Sequence, residues 1–361
     1  MQKQMEDLLS FMVEKSASDL HVSAGVRPHV RINGKISATE FPLLSARETS
    51  ELLLDLLNEE QKIAFNDVKT VDFSFAHKDL GCFRTNIYQQ RGSVAAAIRH
   101  LPDSIRTFKE LQLPVEALTQ FCRMPYGLIL VCGPVGSGKT TTLAAMMDYI
   151  NQTRECHIIS LEDPIEYRHN NKRSNIHQRE VGQDVPDFHQ GLRSILREDP
   201  DVVVVGELRD LETIAAAVTV AETGHLVFAT LHTNDTSESI RRIIDVFPGQ
   251  QQQQIITQLS ATLCGVVEQT LLPRAGGSGR VVATEILVVT PAIQNIIREN
   301  KIEQVYSHIQ MGNKIGMHTM NQSLFDLVRA GSISSETALK STRRCAELAR
   351  LFETASSAKG K

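Results

Sequence analysis

The stretch GPVGSGKTTTLAAMMDYI, from Gly133 to Ile150, joins a glycine-rich turn to a run of good helix formers. It follows directly on the apolar run GLILVC (residues 127–132), whose length and composition are typical of a buried strand. Between a strand and a helix, the pattern G-x-x-x-x-G-K-[ST] forms a phosphate-binding loop. We therefore predict a nucleotide site at this turn, formed by Gly133, Pro134, Val135, Gly136, Ser137, Gly138, Lys139, Thr140 and Thr141.

The residue types of this loop indicate how it would bind a nucleotide. Glycine permits backbone conformations that point successive N–H groups inward, and the N-terminus of the following helix adds the positive end of its dipole. Lys139 is expected to reach the β- and γ-phosphates of ATP, and the Thr140 hydroxyl to ligate Mg²⁺. A chance glycine-rich turn is the alternative, and the flanking strand and helix argue against it.

Three more apolar runs follow the loop at intervals filled by helical patterns. They are CHIISLE (residues 156–162), DVVVVGE (201–207) and HLVFATLH (225–232). Nearly continuous apolar strands that alternate with helices indicate a parallel sheet covered on both faces. We therefore predict an α/β domain over residues 110–361, with a mostly helical region from about 290 to 361.

The first hundred residues have a different pattern. After an amphipathic opening helix, shorter runs alternate between apolar and polar residues, as in VDFSFAH (residues 71–77), CFRTNIYQQ (82–90) and SVAAAIRHL (93–101). Alternation of this kind is typical of half-buried strands. The sequence predicts an α+β domain over residues 1–101, joined to the α/β domain by a linker at 102–109.

Composition restricts the class of protein. The chain has 361 residues, enough for two domains, and a net charge of −4, which argues mildly against nucleic acid as a partner. No apolar run approaches the length of about 20 residues that spans a bilayer, and Glu6 and Asp7 interrupt the opening helix, so we expect no signal peptide. The six cysteines form no CxxC pair, which favours reduced thiols in the cytoplasm over disulfides or a zinc ribbon.

Carboxylates that could serve hydrolysis follow two of the predicted strands. Glu207 comes just after VVVV, at the strand end where open α/β sheets place ligand-facing residues. Gly206 occupies the position where many P-loop enzymes carry an aspartate, so magnesium support is expected from LEDPIEY (residues 161–167) instead. That segment supplies Glu162, Asp163 and Glu166, for which solvated loop carboxylates are the alternative interpretation.

Two histidines flank the last of these strands. His232 follows its carboxyl end, where it could hydrogen-bond the γ-phosphate or Glu207, although a buried structural histidine is the alternative. His225 begins the same strand, at the edge of the sheet away from the phosphates, so we expect it to be structural.

Taken together, these motifs resemble those of the secretion ATPase superfamily. GPVGSGKTT matches its Walker A motif, LEDPIEY its Asp box, LREDPDVVVVGELRDLETI its Walker B motif and HLVFATLHTND its His box. ASDLHVSAG near the start, and PAIQNIIREN and GMHTMNQSL near the end, make the chain similar to the type IV pilus retraction ATPases, the PilT type. The resemblance covers residues 5 to 340, and the tetracysteine insert of the longer pilus assembly ATPases is absent.

The resemblance implies an architecture and a set of residue roles. It implies a homohexameric ring whose subunits have an N-terminal PAS-like domain and a RecA-like ATPase domain. Glu207 would activate water, and Glu166 would support the metal with Thr140. Arg84 and Arg99 would reach the nucleotide across a domain or subunit boundary, with Arg91 as a weaker candidate and solvated strand-edge arginines as the alternative.

The function implied by the resemblance is a cytoplasmic ATPase motor that powers pilus retraction by pilin depolymerisation, and with it twitching motility. Its partners would be an inner-membrane pilus platform protein and a paralogous retraction ATPase, with peripheral membrane association through partners alone and no nucleic acid. One departure is Gln294, where the family has arginine, so an accessory ATPase with weak activity of its own is a second hypothesis. A nucleic-acid translocase with the same core is a third, which the acidic balance disfavours.

Overall fold

The computed structural model describes residues 3–32, 34–101, 104–277 and 279–359, and only the backbone of residues 356–359. It divides into two compact units. The N-terminal unit comprises residues up to Ser104 together with Pro164–Arg168, and the C-terminal unit comprises the remainder, beginning at Ile105. Within the linker predicted at 102–109, Pro102 and Asp103 lie outside the described residues.

The N-terminal unit is an antiparallel sheet with helices, as the alternating pattern predicted. The order of strands in its sheet is β3-β2-β1-β6-β5-β4. The elements described in this unit are α1 (Lys3–Glu14), β1 (Asp19–Ser23), β2 (His29–Ile32), β3 (Lys35–Ala38), α2 (Ala46–Leu54), α3 (Glu59–Val68), β4 (Thr70–His77), β5 (Gly81–Gln90) and β6 (Ser93–Leu101).

Side-chain periodicity explains how this unit folds. Along β5 the buried residues are Phe83, Thr85 and Ile87, so every second side chain faces the core. Helix α2 begins at a capping box in which Ser45 and Glu48 satisfy each other's backbone N–H groups. The apolar face of α1 contributes to the same hydrophobic cluster as Phe83 and Ile87.

The C-terminal unit contains the four strands predicted from the apolar runs and further strands beside them. Its strands are β7 (Gly127–Cys132), β8 (His157–Glu162), β9 (Asn175–Glu180), β10 (Val202–Val205), β11 (Leu226–Leu231), β12 (Leu263–Pro273) and β13 (Arg280–Val288). Its α-helices are α4 (Val115–Cys122), α5 (Lys139–Thr153), α6 (Phe188–Ile195), α7 (Leu211–Glu222), α8 (Thr236–Asp245), α9 (Gly249–Thr262), α10 (Pro291–Arg298), α11 (Val305–Met311), α12 (Met320–Arg329), α13 (Ser335–Ser341) and α14 (Cys345–Lys359).

The sheet of this unit has the order β13-β12-β7-β11-β10-β8-β9, in which all neighbours are parallel except β12 and β13. Every residue of β7, β10 and β11 is buried, as expected for central strands covered by helices on both faces. The carboxyl ends of β7, β11, β10 and β8 therefore meet along one edge of the sheet, where parallel α/β sheets place their ligands. The predicted α/β fold class is confirmed.

The region beyond β13 is helical, as predicted. Residues of α12, α13 and α14 pack with β13 in a separate hydrophobic cluster that includes Leu324, Ala338 and Leu348. Across the part of the chain that the structure describes, no helix combines the length and the apolar character needed to cross a bilayer.

Candidate nucleotide site

The loop predicted to bind phosphate connects β7 to α5, so it lies between a buried strand and a helix. Gly138 is the N-cap of α5 and, because glycine has no side chain, it makes no side-chain cap hydrogen bond. At Gly133 φ is +146°, and a Cβ there would lie 2.3 Å from the carbonyl oxygen of Gln269 and 2.5 Å from Oγ of Ser137. Only glycine fits this position, because any side chain would collide with the neighbouring strand and with the loop itself.

A residue that sequence analysis missed fixes the loop from β12. The buried amide of Gln269 donates from Nε2 to the carbonyl oxygen of Ser137 at 2.8 Å, and its Oε1 accepts from the Thr142 hydroxyl at 2.8 Å. Gln269 thereby links the loop to the first turn of α5. Its signal in the sequence is a polar residue within the apolar run GVVEQTLL, but its partners cannot be identified without the pairing of β12 with β7.

Lys139 makes contacts within the loop and with the neighbouring strand end. Its Nζ donates to the carbonyl oxygens of Gly133 at 2.8 Å and Pro134 at 3.1 Å, and it lies 3.2 Å from Nδ1 of His232. Because an ammonium group can only donate, Nδ1 of His232 accepts in this arrangement. In the neutral imidazole the proton is then on Nε2.

His232 and Glu207 lie together, as one of the two sequence alternatives proposed. Nε2 of His232 is 3.1 Å from Oε1 of Glu207, so the ring connects Lys139 to the carboxylate. β10 and β11 are neighbouring parallel strands, and this pairing brings the two residues to the same edge of the sheet. The structure thus groups three of the predicted site residues, while their roles in hydrolysis stay predictions.

Arg209 is a second residue that sequence analysis missed. Its guanidinium is 2.8 Å from Oε2 of Glu207, so both carboxylate oxygens have a partner. Burial by itself raises the pKa of Glu207, but the hydrogen bond from Arg209 and the proximity of His232 outweigh it and leave that pKa below its usual value. Glu207 is therefore held ionised at neutral pH.

The segment that carries Glu207 is held by its backbone. The N–H of Leu208 donates to the Thr230 carbonyl oxygen at 3.0 Å, and the Thr230 hydroxyl donates to the Gly206 carbonyl oxygen at 2.5 Å. At the far end, Asp210 caps α7 by accepting from the N–H of Thr213 at 2.8 Å. A Cβ at position 206 would lie 3.2 Å from the Leu161 carbonyl oxygen, a close contact that a larger residue could make only with a small shift of the end of β8.

The Asp-box carboxylates are divided between the two units. Glu162 is buried at the end of β8, where its Oε1 accepts from Oγ of Ser160 at 2.6 Å and from Nε2 of Gln178 at 3.0 Å. Asp163 is exposed. Glu166 belongs to the N-terminal unit, and its Oε1 lies 3.7 Å from the guanidinium of Arg84.

The two candidate arginines of the N-terminal unit lie side by side. Arg84 on β5 is the direct cross-strand partner of Arg99 on β6. Nε of Arg99 donates to Oδ1 of Asp19 at 2.8 Å, and 61% of the Arg99 side chain is exposed. The third candidate, Arg91, occupies the exposed turn between these strands with a φ of +48°. The structure thus pairs Arg84 with Arg99 on one sheet and leaves their contact with a nucleotide a prediction.

The buried carboxyl group of Glu268 lies near the phosphate-binding loop, since Glu268 and Pro134 line the same cavity. Glu268 is 2% exposed, and its Oε2 has no hydrogen-bond partner within the described residues. Burial, with further contributions from Glu285 and Asp235, raises the pKa of Glu268 to about 9 despite the opposing effect of Lys139. Glu268, Glu285 and Pro134 contribute to the wall of a cavity of about 160 Å³.

No cluster of three or more His, Cys, Asp or Glu side chains within the described ranges is arranged to hold a metal ion.

The chain is similar in sequence to known secretion and pilus ATPases. The family model described as "Type II/IV secretion system protein" matches residues 90–340. The chain is 46% identical to the type IV pilus retraction ATPase PilT of Pseudomonas aeruginosa over 332 residues, which are 92% of this chain and 96% of that protein. It is 38% identical to the type IV pilus ATPase PilU of the same organism, over 93% of this chain and 88% of that one.

The fold is also similar to that of a solved retraction motor. A crystal structure of the pilus retraction motor PilT with bound ADP superposes with a TM-score of 0.90 at 49% identity and covers 95% of this chain and 98% of that one. The resemblance predicted from the motifs is therefore confirmed, and the chain belongs to the type II/IV secretion system protein family and, within it, to the type IV pilus retraction ATPases of the PilT type.

Proposed function

We propose that this protein is an ATP-hydrolysing motor that works as a homohexamer and powers type IV pilus retraction and twitching motility. The observation that carries the proposal is the contact chain from Lys139 through His232 to Glu207, which links the phosphate-binding loop to a carboxylate able to activate water. Similarity to the retraction motor PilT over nearly the full length supports the same function.

The loop residues fit a triphosphate. The N-cap of α5 is Gly138, which has no side chain to cap the helix, and the buried Ser137 hydroxyl has no hydrogen-bond partner among the described residues. Both features suit a phosphate group placed at the helix N-terminus. Lys139 would exchange the carbonyl oxygens of Gly133 and Pro134 for phosphate oxygens, which form stronger charge-assisted hydrogen bonds.

Hydrolysis would depend on Glu207. Its carboxylate is ionised and positioned by a rigid backbone segment, so it can accept a proton from, or orient, the attacking water. When Lys139 moves to the phosphates, Nδ1 of His232 loses its donor and can accept from another group. His232 therefore makes the environment of Glu207 depend on whether the loop holds a nucleotide.

Magnesium would be held by the Thr140 hydroxyl and supported by Glu166, since hydroxyl and carboxylate oxygens are ligands that Mg²⁺ prefers. When bound, Mg²⁺ neutralises charge on the β- and γ-phosphates. Thr140 lies in the first turn of α5, beside Lys139. Glu166 is 3.7 Å from Arg84, so part of its charge is already compensated in the N-terminal unit.

Arginines of the N-terminal unit would complete the site from a neighbouring subunit. Arg84 and Arg99 are direct neighbours on adjacent strands, so one face of the sheet carries two guanidinium groups, of which Arg99 pairs with Asp19 and Arg84 lies near Glu166. Guanidinium groups that meet the transferred phosphoryl group stabilise the charge that develops on it. This arrangement would couple hydrolysis to the geometry of a ring whose subunits have an N-terminal PAS-like domain and a RecA-like ATPase domain.

The partners would be an inner-membrane pilus platform protein and a paralogous retraction ATPase. The protein would be cytoplasmic and peripheral at the inner-membrane face of the pilus machine. Gln294 is half-exposed on α10, which is one candidate surface for these contacts. An accessory ATPase with weak activity is the second candidate function, because Gln294 replaces a family arginine and because the PilU ATPase is also a relative.

The proposal is tested with purified protein and with a deletion strain. The unsubstituted protein should hydrolyse ATP, the Glu207→Gln variant should bind ATP without turnover, and exposed Glu116→Gln should behave as the unsubstituted protein. Loss of all retraction on deletion supports the main motor, whereas reduced retraction force indicates the accessory role. Turnover by Glu207→Gln at the normal rate would remove Glu207 from the mechanism, and ATPase stimulation by DNA would favour a translocase.

A further inference from the structure

Arg209 and His232 both contact the carboxylate of Glu207, and Arg209 makes the shorter of these two contacts. The guanidinium lies 2.8 Å from Oε2 of Glu207, whereas the imidazole of His232 lies 3.1 Å from Oε1. The Arg209 side chain is 65% exposed, and that of Glu207 only 19%. A solvent-accessible cation therefore fixes one oxygen of a largely buried anion.

We propose that Arg209 is a positioning residue for hydrolysis, which holds Oε2 of Glu207 so that Oε1 faces His232 and the phosphate-binding loop. This inference rests on the proposed role of Glu207. Arg209 lies two residues after Glu207, on a segment whose backbone is fixed by Thr230 and by the start of α7. Because these contacts fix the main chain at Arg209, the guanidinium group extends from a fixed position and can orient the carboxylate of Glu207.

The two carboxylate oxygens of Glu207 then have different partners and different roles. Oε1 is connected through His232 to Lys139, so its surroundings depend on the state of the phosphate-binding loop. Oε2 is held by Arg209, for which the described part of the chain shows no contact with a loop residue. Without Arg209 the carboxylate could rotate about its side-chain bonds, and a misplacement of about 1 Å can lower a rate by about 10²-fold. The expected loss is therefore in kcat, with little change in KM for ATP.

The charge of Arg209 has a separate consequence. The charged groups that face Glu207 are Arg209 and His232, and Asp163 in turn acts on Arg209. Burial raises the pKa of Glu207, so removal of the arginine leaves burial less opposed and the pKa rises. A carboxylate acts as a base only when ionised, so the acid limb of the kcat–pH profile should move to higher pH.

The test compares kcat and KM across pH for the unsubstituted protein, Arg209→Gln, Arg209→Lys and the control Arg197→Gln, which changes an exposed arginine outside the site. We expect Arg209→Gln to lose about 10²-fold in kcat with KM within about twofold, and its acid limb to lie at higher pH. Arg209→Lys keeps the positive charge but lacks the planar guanidinium group. Its acid limb should therefore stay close to that of the unsubstituted protein, and its kcat should lie between those of Arg209→Gln and the unsubstituted protein.

Several outcomes would overturn the inference. A uniform loss of kcat at every pH, with the acid limb unmoved, would show that Arg209 only stabilises the local structure. An unchanged or increased kcat in Arg209→Gln would show that the arginine does not position Glu207. If the unsubstituted protein itself does not hydrolyse ATP, the proposed function fails first. ATP binding and ring size, measured in parallel, identify a variant that has failed to fold.

Discussion

Nε2 of His232 lies 3.1 Å from Oε1 of Glu207, and Nδ1 of the same ring lies 3.2 Å from Nζ of Lys139. The ring is thus placed between the residue expected to bind phosphate and the residue expected to activate water. Since neighbouring parallel strands β10 and β11 deliver Glu207 and His232, this relationship follows from the topology of the sheet. It allows one side chain to transmit the state of the loop to the carboxylate.

Substitution of His232 tests this connection. We expect His232→Gln to lower kcat by about 10²-fold, because Glu207 loses the partner that orients Oε1, and to leave ATP affinity within about threefold. The measurement is steady-state ATPase activity together with a binding isotherm. His225→Gln is the matched control, because His225 immediately precedes the same strand, β11, and contacts the carbonyl oxygen of Val220 instead. Equal losses in both variants would contradict a specific role for His232.

Substitution of Lys139 tests the phosphate contacts. Lys139→Ala should weaken ATP binding by about tenfold to a hundredfold, since a hydrogen bond to a charged group contributes about 1.5–3 kcal/mol, and should abolish turnover. Fluorescent-nucleotide binding and phosphate release measure the two effects. The exposed Lys314→Ala variant serves as the control. Unaltered nucleotide affinity in Lys139→Ala would place the binding site elsewhere.

Gln269 provides a test of the loop geometry. Gln269→Leu leaves the Ser137 carbonyl oxygen and the Thr142 hydroxyl without the amide that pairs with them. We expect a loss of about 1–3 kcal/mol in the free energy of unfolding and a higher KM for ATP, measured by urea denaturation and steady-state kinetics. Gln253→Leu, on the exposed face of α9, controls for loss of a surface amide. An unchanged KM would show that Gln269 has no influence on the loop.

Glu268 predicts a pH dependence of stability. Its pKa is raised from 4.5 to about 9, so the native protein binds a proton that the unfolded chain releases between these values. The free energy of unfolding should therefore fall as pH rises through this window. Glu268→Gln cannot lose a proton, so it should melt at a higher temperature than the unsubstituted protein at pH 8–9, at about 2–4 °C per kcal/mol, with a smaller difference near pH 5. Parallel melting curves at all pH values would contradict this origin.

The sequence predicted those parts of the site that are local in the chain. The loop, its strand and its helix are consecutive, His232 directly follows β11, and Glu207 lies two residues after the end of β10. Gln269 and Arg209 were not predicted, for different reasons. The partner of Gln269 at Ser137 is 132 residues away, and only the pairing of β12 with β7 brings them together. Arg209 lies close to Glu207 in sequence, but the direction of an exposed arginine side chain has no sequence signature.

The N-terminal unit shows the same contrast. Its strands β4, β5 and β6 were predicted from the alternation of apolar and polar residues, which arises because one face of the sheet is buried. The register that makes Arg84 and Arg99 direct neighbours depends on the pairing of β5 with β6, and the grouping of Glu166 with this unit depends on contacts distant in the chain. Contacts with another subunit depend on the ring, so the roles of these three residues stay predictions.

We propose that hydrolysis requires a neighbouring subunit. Arg84 and Arg99 are the residues through which the neighbour would act. The measurement that tests this most directly is specific ATPase activity as a function of protein concentration, with the oligomeric mass determined in the same samples. We predict that activity per subunit rises steeply as rings assemble, and that the Arg84→Ala/Arg99→Ala double variant forms rings with little turnover. Full activity from single subunits, or a double variant with undiminished turnover, would contradict the account.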